Sequence, residues 1–516
     1  MDNEAGKKGR MIDKKKAKEQ RIMNLMGKSD RKRTGDTPKS NDTKRDIDIK
    51  RGTDPKRSTD FKRSTDIKRG TDTKRSTDTK RGADTKRNSD NEREASFLHA
   101  GNYRNRSYEK NPESTRRDRP QSGKSFPRRS TSLCPYIGKC GGCQFLDQTY
   151  EQQLQIKKDY VIEQIKPYCS LDSIVAMEEP RHYRNKVHAV FGRDHQSNIL
   201  AGTYIQGTHK IVDVESCLLD NQNADAIIKT IKKLIPSFKI KTYDEDTSYG
   251  LLRHVLIRTG KTSGEIMVVL VLASPVLPSK NNFIKVLRKE HPEISTVVLN
   301  VNDRQTSVVL GNRNVTLYGK GYLEDTLCGK TFRISPSAFY QVNPLQTEKL
   351  YQKAIEMAQL TGQETILDAY CGIGTIGIIA SDKAKRVIAV EINRDAVRDA
   401  VANMKINKAE NITICAEDAG EFMAELAESG EEKVDVVFMD PPRAGSDETF
   451  LSALVQLAPE KVVYISCNPE TLARDLKFLT GHGYKAKKAV AVDMFPWTSH
   501  VETIILMTKC GYGGKK

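Results

Sequence analysis

The chain has 516 residues and 85 lysines and arginines against 67 aspartates and glutamates, a net charge of +18. That length exceeds what one hydrophobic core serves, so two or three folded units are expected. No apolar run reaches the roughly 20 residues of a membrane helix, and the first residues lack the apolar core of a secretion signal. No membrane partner and a cytoplasmic location are therefore expected. Ten cysteines in such a chain point to metal or catalytic use rather than to disulfides.

The charge is unevenly placed. Residues 1–133 hold 39 basic and 21 acidic residues, which accounts for the whole +18. Residues 134–516 hold 46 of each and are neutral. From Lys50 to Asn91 a hexamer repeats, beginning Lys-Arg-Gly-Thr-Asp-Pro. Its period fits neither helix nor strand and offers almost nothing to bury, so 1–133 is expected to be a disordered basic tail. Such a tail suits salt-sensitive attraction to RNA phosphates, and equally suits a solvated extension without a task.

At Leu133 the composition changes. Cys134, Cys140 and Cys143 form a C-x5-C-x2-C cluster around Gly141-Gly142. A fourth thiolate completes either a zinc site or an iron–sulfur cluster. Cys217 is the first candidate and Cys169 its rival. A helical pattern runs from Gln148 to Pro167. From Arg181 the period becomes that of strands: His188–Phe191, Leu200–Ile205, Leu252–Ile257, Ile266–Leu272, Thr296–Val301 and Thr306–Leu310. Helices are expected near Ala224–Leu234 and Asn282–Lys289. Residues 134–335 thus read as a β-rich central domain. Arg181, Arg184 and Lys186 lie with two aromatic rings inside six residues, a composition suited to phosphate contact and base stacking.

From Ile334 strands and helices alternate. Thr365–Cys371, Arg386–Ile392, Ile412–Asp418, Val434–Asp440 and Val462–Cys467 are apolar runs. Arg394–Asn407 is a helical segment between two of them, and Tyr484–Met494 with Val501–Met507 closes the pattern as a hairpin. Residues 336–516 therefore read as a doubly wound, Rossmann-like α/β domain. Ligands bind such sheets at the carboxyl ends of the strands. Gly372, Gly374 and Gly377 follow the first strand in a G-x-G-x-x-G pattern. Glu391 ends the second strand, placed for ribose hydroxyls; Asp418 ends the third, placed for an adenine; Asp440 ends the fourth in Asp440-Pro-Pro-Arg443. Asp368, in the first strand, makes a fourth acid. Four acids and one glycine loop suit S-adenosylmethionine better than NAD. Cys467 ends the fifth strand; alone it would read as a small buried hydrophobe.

These motifs together resemble the RNA uracil-5-methyltransferases, in particular the iron–sulfur enzymes acting on 23S ribosomal RNA. The resemblance spans Leu133 to about Lys509. It rests on the cysteine cluster with Cys217, Phe339-Tyr-Gln341-Val-Asn-Pro, Asp368-Ala-Tyr-Cys-Gly-Ile-Gly, Asp440-Pro-Pro-Arg-Ala-Gly, Ser466-Cys467-Asn-Pro and His500-Val-Glu502-Thr. It implies a class I methyltransferase domain and a [4Fe–4S] cluster on Cys134, Cys140, Cys143 and Cys217. It implies cofactor contacts at Gln341, Tyr370, Thr375, Glu391, Asp418 and Asp440. The family commonly carries Asn where this chain has Thr375. Many relatives also carry a small β-barrel module before the cysteines, where this chain has its charged tail.

The implied chemistry has a physical reason. Carbon 5 of uracil is a weak nucleophile towards a sulfonium methyl. A thiolate adding to carbon 6 makes the ring an enolate, nucleophilic at carbon 5. Cys467 fits that role, Glu502 the base that then removes the carbon-5 proton, and Phe339 a stacking surface for the extruded base. An RNA partner, no protein partner and a monomer are expected. A methyltransferase acting on an exocyclic amine would need no cysteine. A non-enzymatic cluster protein would have no use for Cys467 and Glu502 together.

Overall fold

The computed structural model describes residues 133–430 and 432–511; the repeat tail expected to be disordered lies outside them. After the cysteine segment come helix α1 (Tyr150–Ile165) and strand β1 (Ser173–Val175). Thr149 and Gln152 start α1 with a reciprocal capping box.

The central sheet contains β2 (Lys186–Arg193), β3 (Ile199–Tyr204), β4 (Ile211–Asp213), β5 (Leu252–Thr259), β6 (Ile266–Leu272), β7 (Ile294–Val301) and β8 (Arg313–Tyr318), with helices α2 (Gln222–Ser237) and α3 (Lys280–Glu290) between them. Its order is β4-β3-β2-β5-β6-β7-β8, and α3 makes the single parallel crossover from β6 to β7. Every residue of β6 is buried, as its unbroken apolar run requires. Val268, Leu270 and Leu272 pack with Ile231 and Phe283 beneath the two helices. Met267, Val269 and Val271 face the other way and join the core that holds Leu350, Ile366 and Val463. The central sheet therefore shares a core with the chain that follows it.

The strand expected at Thr306–Leu310 does not form. Asn302 Nδ2 donates to the Val308 and Val309 carbonyls at 2.7 and 3.1 Å, and the Thr306 hydroxyl accepts from the Val308 N–H at 3.2 Å. Side chains have taken backbone groups that a ladder would use. The partner of β7 is β8 instead.

A hairpin, β9 (Leu323–Leu327) and β10 (Lys330–Ile334), leads to helix α4 (Pro344–Ala358). The doubly wound part follows: β11 (Thr365–Ala369), α5 (Thr375–Ala380), β12 (Arg386–Val390), α6 (Arg394–Ile406), β13 (Ile412–Cys415), α7 (Ala419–Ser429), β14 (Val436–Met439), α8 (Glu448–Leu457), β15 (Lys461–Ser466), α9 (Pro469–Gly481), β16 (Tyr484–Val492) and β17 (Glu502–Lys509). The eight-stranded order is β1-β16-β17-β15-β14-β11-β12-β13. Strand order reverses around β11, which lies between β12 and β14, and a crevice opens there at the carboxyl edge. Strand β17 runs antiparallel to both β15 and β16. Alternate residues of β11 enter the two cores, Ile366 one and Leu367 the other. Among the described residues no helix is long and apolar enough to cross a membrane.

Residues 150–175, read from sequence with the central domain, attach to this second sheet. Strand β1 pairs in parallel with β16 at its edge. Helix α1 buries Gln153 and Lys157 as well as Val161 and Ile165. The reason for the two polar residues lies in the loop between β16 and β17. Lys157 Nζ pairs with Asp493 at 2.5 Å and donates to the Phe495 carbonyl at 2.9 Å. Tyr150 donates to the same carboxylate at 2.8 Å, and Gln153 accepts from the Trp497 N–H at 2.6 Å. Replacing Asp493 by Ala leaves an ammonium buried without its counter-ion. The expected cost is about 3–5 kcal/mol of stability, measurable as a lower urea midpoint. An unchanged midpoint in Asp493→Ala would refute the staple.

Candidate active site

Four of the candidate residues lie shortly past the ends of apolar strands. Glu391 follows β12, Asp440 follows β14, Cys467 follows β15, and Asp418 stands three residues beyond β13. The turn after β11 takes Tyr370, Gly372 and Gly374 through positive φ (63°, 57° and 83°) before α5 starts at Thr375. The Gly377 N–H donates to Asp368 at 2.7 Å. A Cβ on Gly377 would meet that oxygen at 2.9 Å, so only glycine lets α5 approach β11 this closely. Glu391 accepts from the Gly372 and Asn393 N–H groups at 2.9 and 2.7 Å, which ties the second strand end to the glycine turn. Asp418 caps α7, accepting from Gly420 and Glu421. Tyr370 packs on Phe450 with ring centroids 5.3 Å apart. Thr375 bonds Tyr351, and Gln341 is buried with its carbonyl accepting from Asn185 at 3.0 Å.

This edge is short of positive charge. Burial pushes the Asp368 carboxyl up to about 7, with Asp440 and Glu391 adding to the push against the Gly377 bond. The second Asp368 oxygen is buried without a partner. Burial likewise raises Asp440. A sulfonium brought beside such carboxyls favours their ionisation and is held by it, whereas a pyrophosphate gains nothing from them, so these residues fit S-adenosylmethionine better than a dinucleotide.

The next strands bring in Cys467 and Glu502. In the β15–β17 ladder the last pair is Ser466 with Thr503, so Cys467 leaves β15 near Glu502, close enough for the carboxyl to act on the thiol. Asn468 caps α9, accepting from Glu470, and its amide donates to the Arg443 carbonyl at 3.2 Å. Thr471 donates to the same carbonyl at 3.1 Å. The cysteine turn is thus bolted to the Asp440-Pro-Pro-Arg443 turn. Glu502 is buried and its Oε2 has no partner. Burial raises its carboxyl, Asp440 raises it further, and Arg443 opposes both. The Cys467 thiol is pushed well above its ordinary range by burial, then by Glu502 and Asp440, again against Arg443. Sequence reading gave Arg443, His500 and Tyr351 no catalytic task. Arg443 and His500 stood inside motifs already singled out. Tyr351 had no motif, being one more apolar-face residue of α4.

The cysteines separate into two neighbourhoods. Cys134, Cys143 and Cys217 share a small core with Met177, Tyr183 and Trp497, and Cys140 lies close enough to Cys143 to act on its charge. Cys169 packs elsewhere, against the core around Val161 and Leu476. Among the described residues no three His, Cys, Asp or Glu side chains converge on one metal ion. A cubane asks for less convergence, because its four thiolates bind four separate irons.

Of the residues expected to meet RNA, Phe339 is 46% exposed and Arg181 is exposed. Lys186 is half-buried at the start of β2. Arg184 is half-buried too, with its Nε enclosed and its guanidinium set near Tyr183, Asp220 and the thiols. Burial opposes its charge, but Tyr183, Asp220, Cys217 and Cys143 outweigh burial and hold the guanidinium charged. The local backbone explains the placement: Arg184 forms a bridge with Asp220, beside Cys217.

The Asp368 environment has a measurable consequence. A carboxyl held up by the fold binds its proton more tightly folded than unfolded. Its stabilising contribution is complete below the ordinary value of 3.8 and is lost as pH rises through about 7. Wild type is expected to lose stability relative to Asp368→Asn across that window and to run parallel outside it. Urea midpoints over a pH series measure this; parallel curves throughout would show an Asp368 that ionises freely.

Comparison with known proteins shows the family. The family profile described as tRNA (uracil-5-)-methyltransferase matches residues 149–510. An uncharacterised RNA methyltransferase of Halalkalibacterium halodurans is 40% identical over 74% of this chain and 84% of its own. One of Clostridium tetani is 42% identical over 74% of this chain and 83% of its own. The crystal structure of Pyrococcus abyssi tRNA (uracil-54, C5)-methyltransferase with S-adenosyl-L-homocysteine matches with a TM-score of 0.60 and 27% identity, over 72% of this chain and 86% of that one. The chain belongs to the tRNA (uracil-5-)-methyltransferase family and is an S-adenosylmethionine-dependent RNA methyltransferase.

Proposed function

We propose that the chain methylates carbon 5 of a uridine in 23S ribosomal RNA through a covalent adduct between Cys467 and carbon 6. The observation that carries this is the nearness of Cys467, just past the end of β15, to Glu502 at the start of β17, with Asp440 acting on both. S-adenosylmethionine, when bound, supplies the electrophilic methyl group on its sulfonium. Gln341, Tyr370, Thr375, Glu391, Asp418 and Asp440 hold it at the glycine turn. Phe339 stacks on the extruded base, with Arg181 and Lys186 towards the RNA backbone. Cys467 gives its proton to solvent as the uracil enters, and the thiolate adds to carbon 6 as the C5–C6 π pair shifts to make the enolate. Asp440 steadies the uracil edge. Glu502 takes the carbon-5 proton after methylation, and the enolate expels the thiolate. The upward push on Glu502 suits this step, because a carboxylate of raised pKa is the stronger base near neutral pH.

Cys134, Cys140, Cys143 and Cys217 would hold the [4Fe–4S] cluster. Its support is the shared apolar pocket and the half-buried Arg184, whose buried Nε lacks a partner and whose charge complements an anionic cluster. A cubane there would tie the cysteine segment to the turn around Cys217. The ribosomal target follows from resemblance to the cluster-bearing enzymes. Transfer RNA is the rival target, favoured by the substrate for which the matching Pyrococcus abyssi enzyme is named. The reading includes a monomer in the cytoplasm, with a tail at 1–133, a cluster-bearing central domain at 134–335 and a catalytic domain at 336–516.

Two outcomes test the chemistry. Cys467→Ala is expected to bind S-adenosylmethionine normally yet lose methyl transfer by at least ~10³-fold, and 5-fluorouridine RNA should trap only the wild type. Glu502→Gln should accumulate a methylated protein–RNA adduct. A fully active Cys467→Ala enzyme would sink the mechanism, and mapping 5-methyluridine in ribosomal and transfer RNA with and without the gene decides the target. For the metal, protein purified without oxygen should carry about four irons per chain. Cys217→Ser should lose them and Cys169→Ser keep them; stoichiometric zinc would refute the cluster.

A further inference from the structure

The His500-Val-Glu502 motif leaves its histidine without a task. His500 ends the loop that α1 staples through Asp493, Phe495 and Trp497. Its N–H donates to the Thr498 hydroxyl at 3.3 Å, and its ring stands edge-on to Phe495, 6.0 Å between centroids. Its Nε2 lies 3.3 Å from Arg443 Nη2. A guanidinium carries donors and no acceptor. Nε2 must therefore accept, and the ring proton rides on Nδ1. Burial, together with the charges of Arg443, Lys157 and Arg184, pushes the imidazolium down to about 4. The ring is thus neutral, and its lone pair available, across the working pH range.

Arg443 is the cation of the reactive cluster. It acts on both Cys467 and Glu502, whose other charged neighbour is Asp440. Its backbone is fixed by Asn468 and Thr471. Four side-chain bonds still separate that anchored carbonyl's residue from its charge. Left free, a guanidinium would drift to solvent or to the nearer of the carboxylates. His500 meets the far end of the side chain.

We propose that His500 is a positioning residue whose unprotonated Nε2 holds the Arg443 guanidinium beside Cys467 and Glu502, so that the thiol ionises against a fixed positive charge. This rests on Cys467 being the nucleophile. His500 itself touches neither RNA nor cofactor in this role. It also makes the loop between β16 and β17 part of the nucleophile's environment, since the same loop is pinned by Lys157.

The test reads the thiol directly, without methyl transfer. Full-length protein without RNA is alkylated by iodoacetamide at one fixed alkaline pH, and modification of Cys467 is followed by peptide mass spectrometry. His500→Phe keeps the packing on Phe495 and removes the acceptor. It is expected to slow alkylation of Cys467 about tenfold, the change in thiolate fraction for one unit of pKa. His500→Gln places an amide oxygen where Nε2 stood and should stay within about twofold of wild type. If His500→Phe fails to fold by circular dichroism, His500→Asn, too short to reach Arg443, takes its place. Wild-type alkylation in the Phe or Asn variant overturns the proposal, as does a Gln variant as slow as Phe. A fully active Cys467→Ala enzyme would instead overturn the nucleophile assignment, and the alkylation contrast would stand apart from it.

Discussion

The antiparallel insertion of β17 between β15 and β16 is the constraint on which the site depends. In a purely parallel sheet the last strand would deliver its carboxyl end to the crevice. Here β17 arrives reversed, so its first residue, Glu502, stands at the edge where β15 ends. The proposed nucleophile at the end of one strand thereby meets a carboxyl at the beginning of its neighbour. The ladder hydrogen bonds hold that spacing, and a slip of one rung would turn Glu502 to the other face. The loop that makes the reversal possible has to be fixed, and α1 supplies the fixing charges from more than 300 residues away in sequence.

Charge is the second organising quantity. Asp368, Asp440, Glu502 and Cys467 are all driven towards their neutral forms by burial and by one another. One guanidinium opposes this at the reactive end. A site so poised is reluctant to form the thiolate until positive charge is brought in. In the proposed mechanism that protects the cysteine from idle chemistry, and it joins cofactor occupancy to nucleophile strength without any moving part.

Much of this architecture was legible in the sequence because buried parallel strands are uninterrupted apolar runs. The runs ending at Ile392, Asp440 and Cys467 located the crevice, and the strands stop one or two residues earlier, where the backbone turns out of the ladder. What escaped depends on distant partners. Strand β1 has three residues, none fully buried, and pairs with β16 across more than 300 positions. Helix α1 buries Gln153 and Lys157, which any periodicity assigns to solvent until Asp493 and Trp497 are known. Arg184 sits in a basic, aromatic stretch that reads as an RNA surface, yet its bridge to Asp220 rolls it towards the thiols. Thr306–Leu310 has strand composition, but Asn302 reaches its carbonyls first.

The double burial of β6 carries a consequence for how substrate is engaged. One face of that strand belongs to the central core and the other to the core beneath the catalytic sheet. Two bodies joined through a common interior cannot swing apart like jaws, since any hinge would tear apolar contacts on both sides. In the proposed reaction the deformation needed to bring a base to Cys467 then falls on the nucleic acid. Uridines in loops, bulges or loosened helices, already close to leaving their stack, become the cheapest to reach. Selectivity would be exercised partly by the pliancy of the RNA itself.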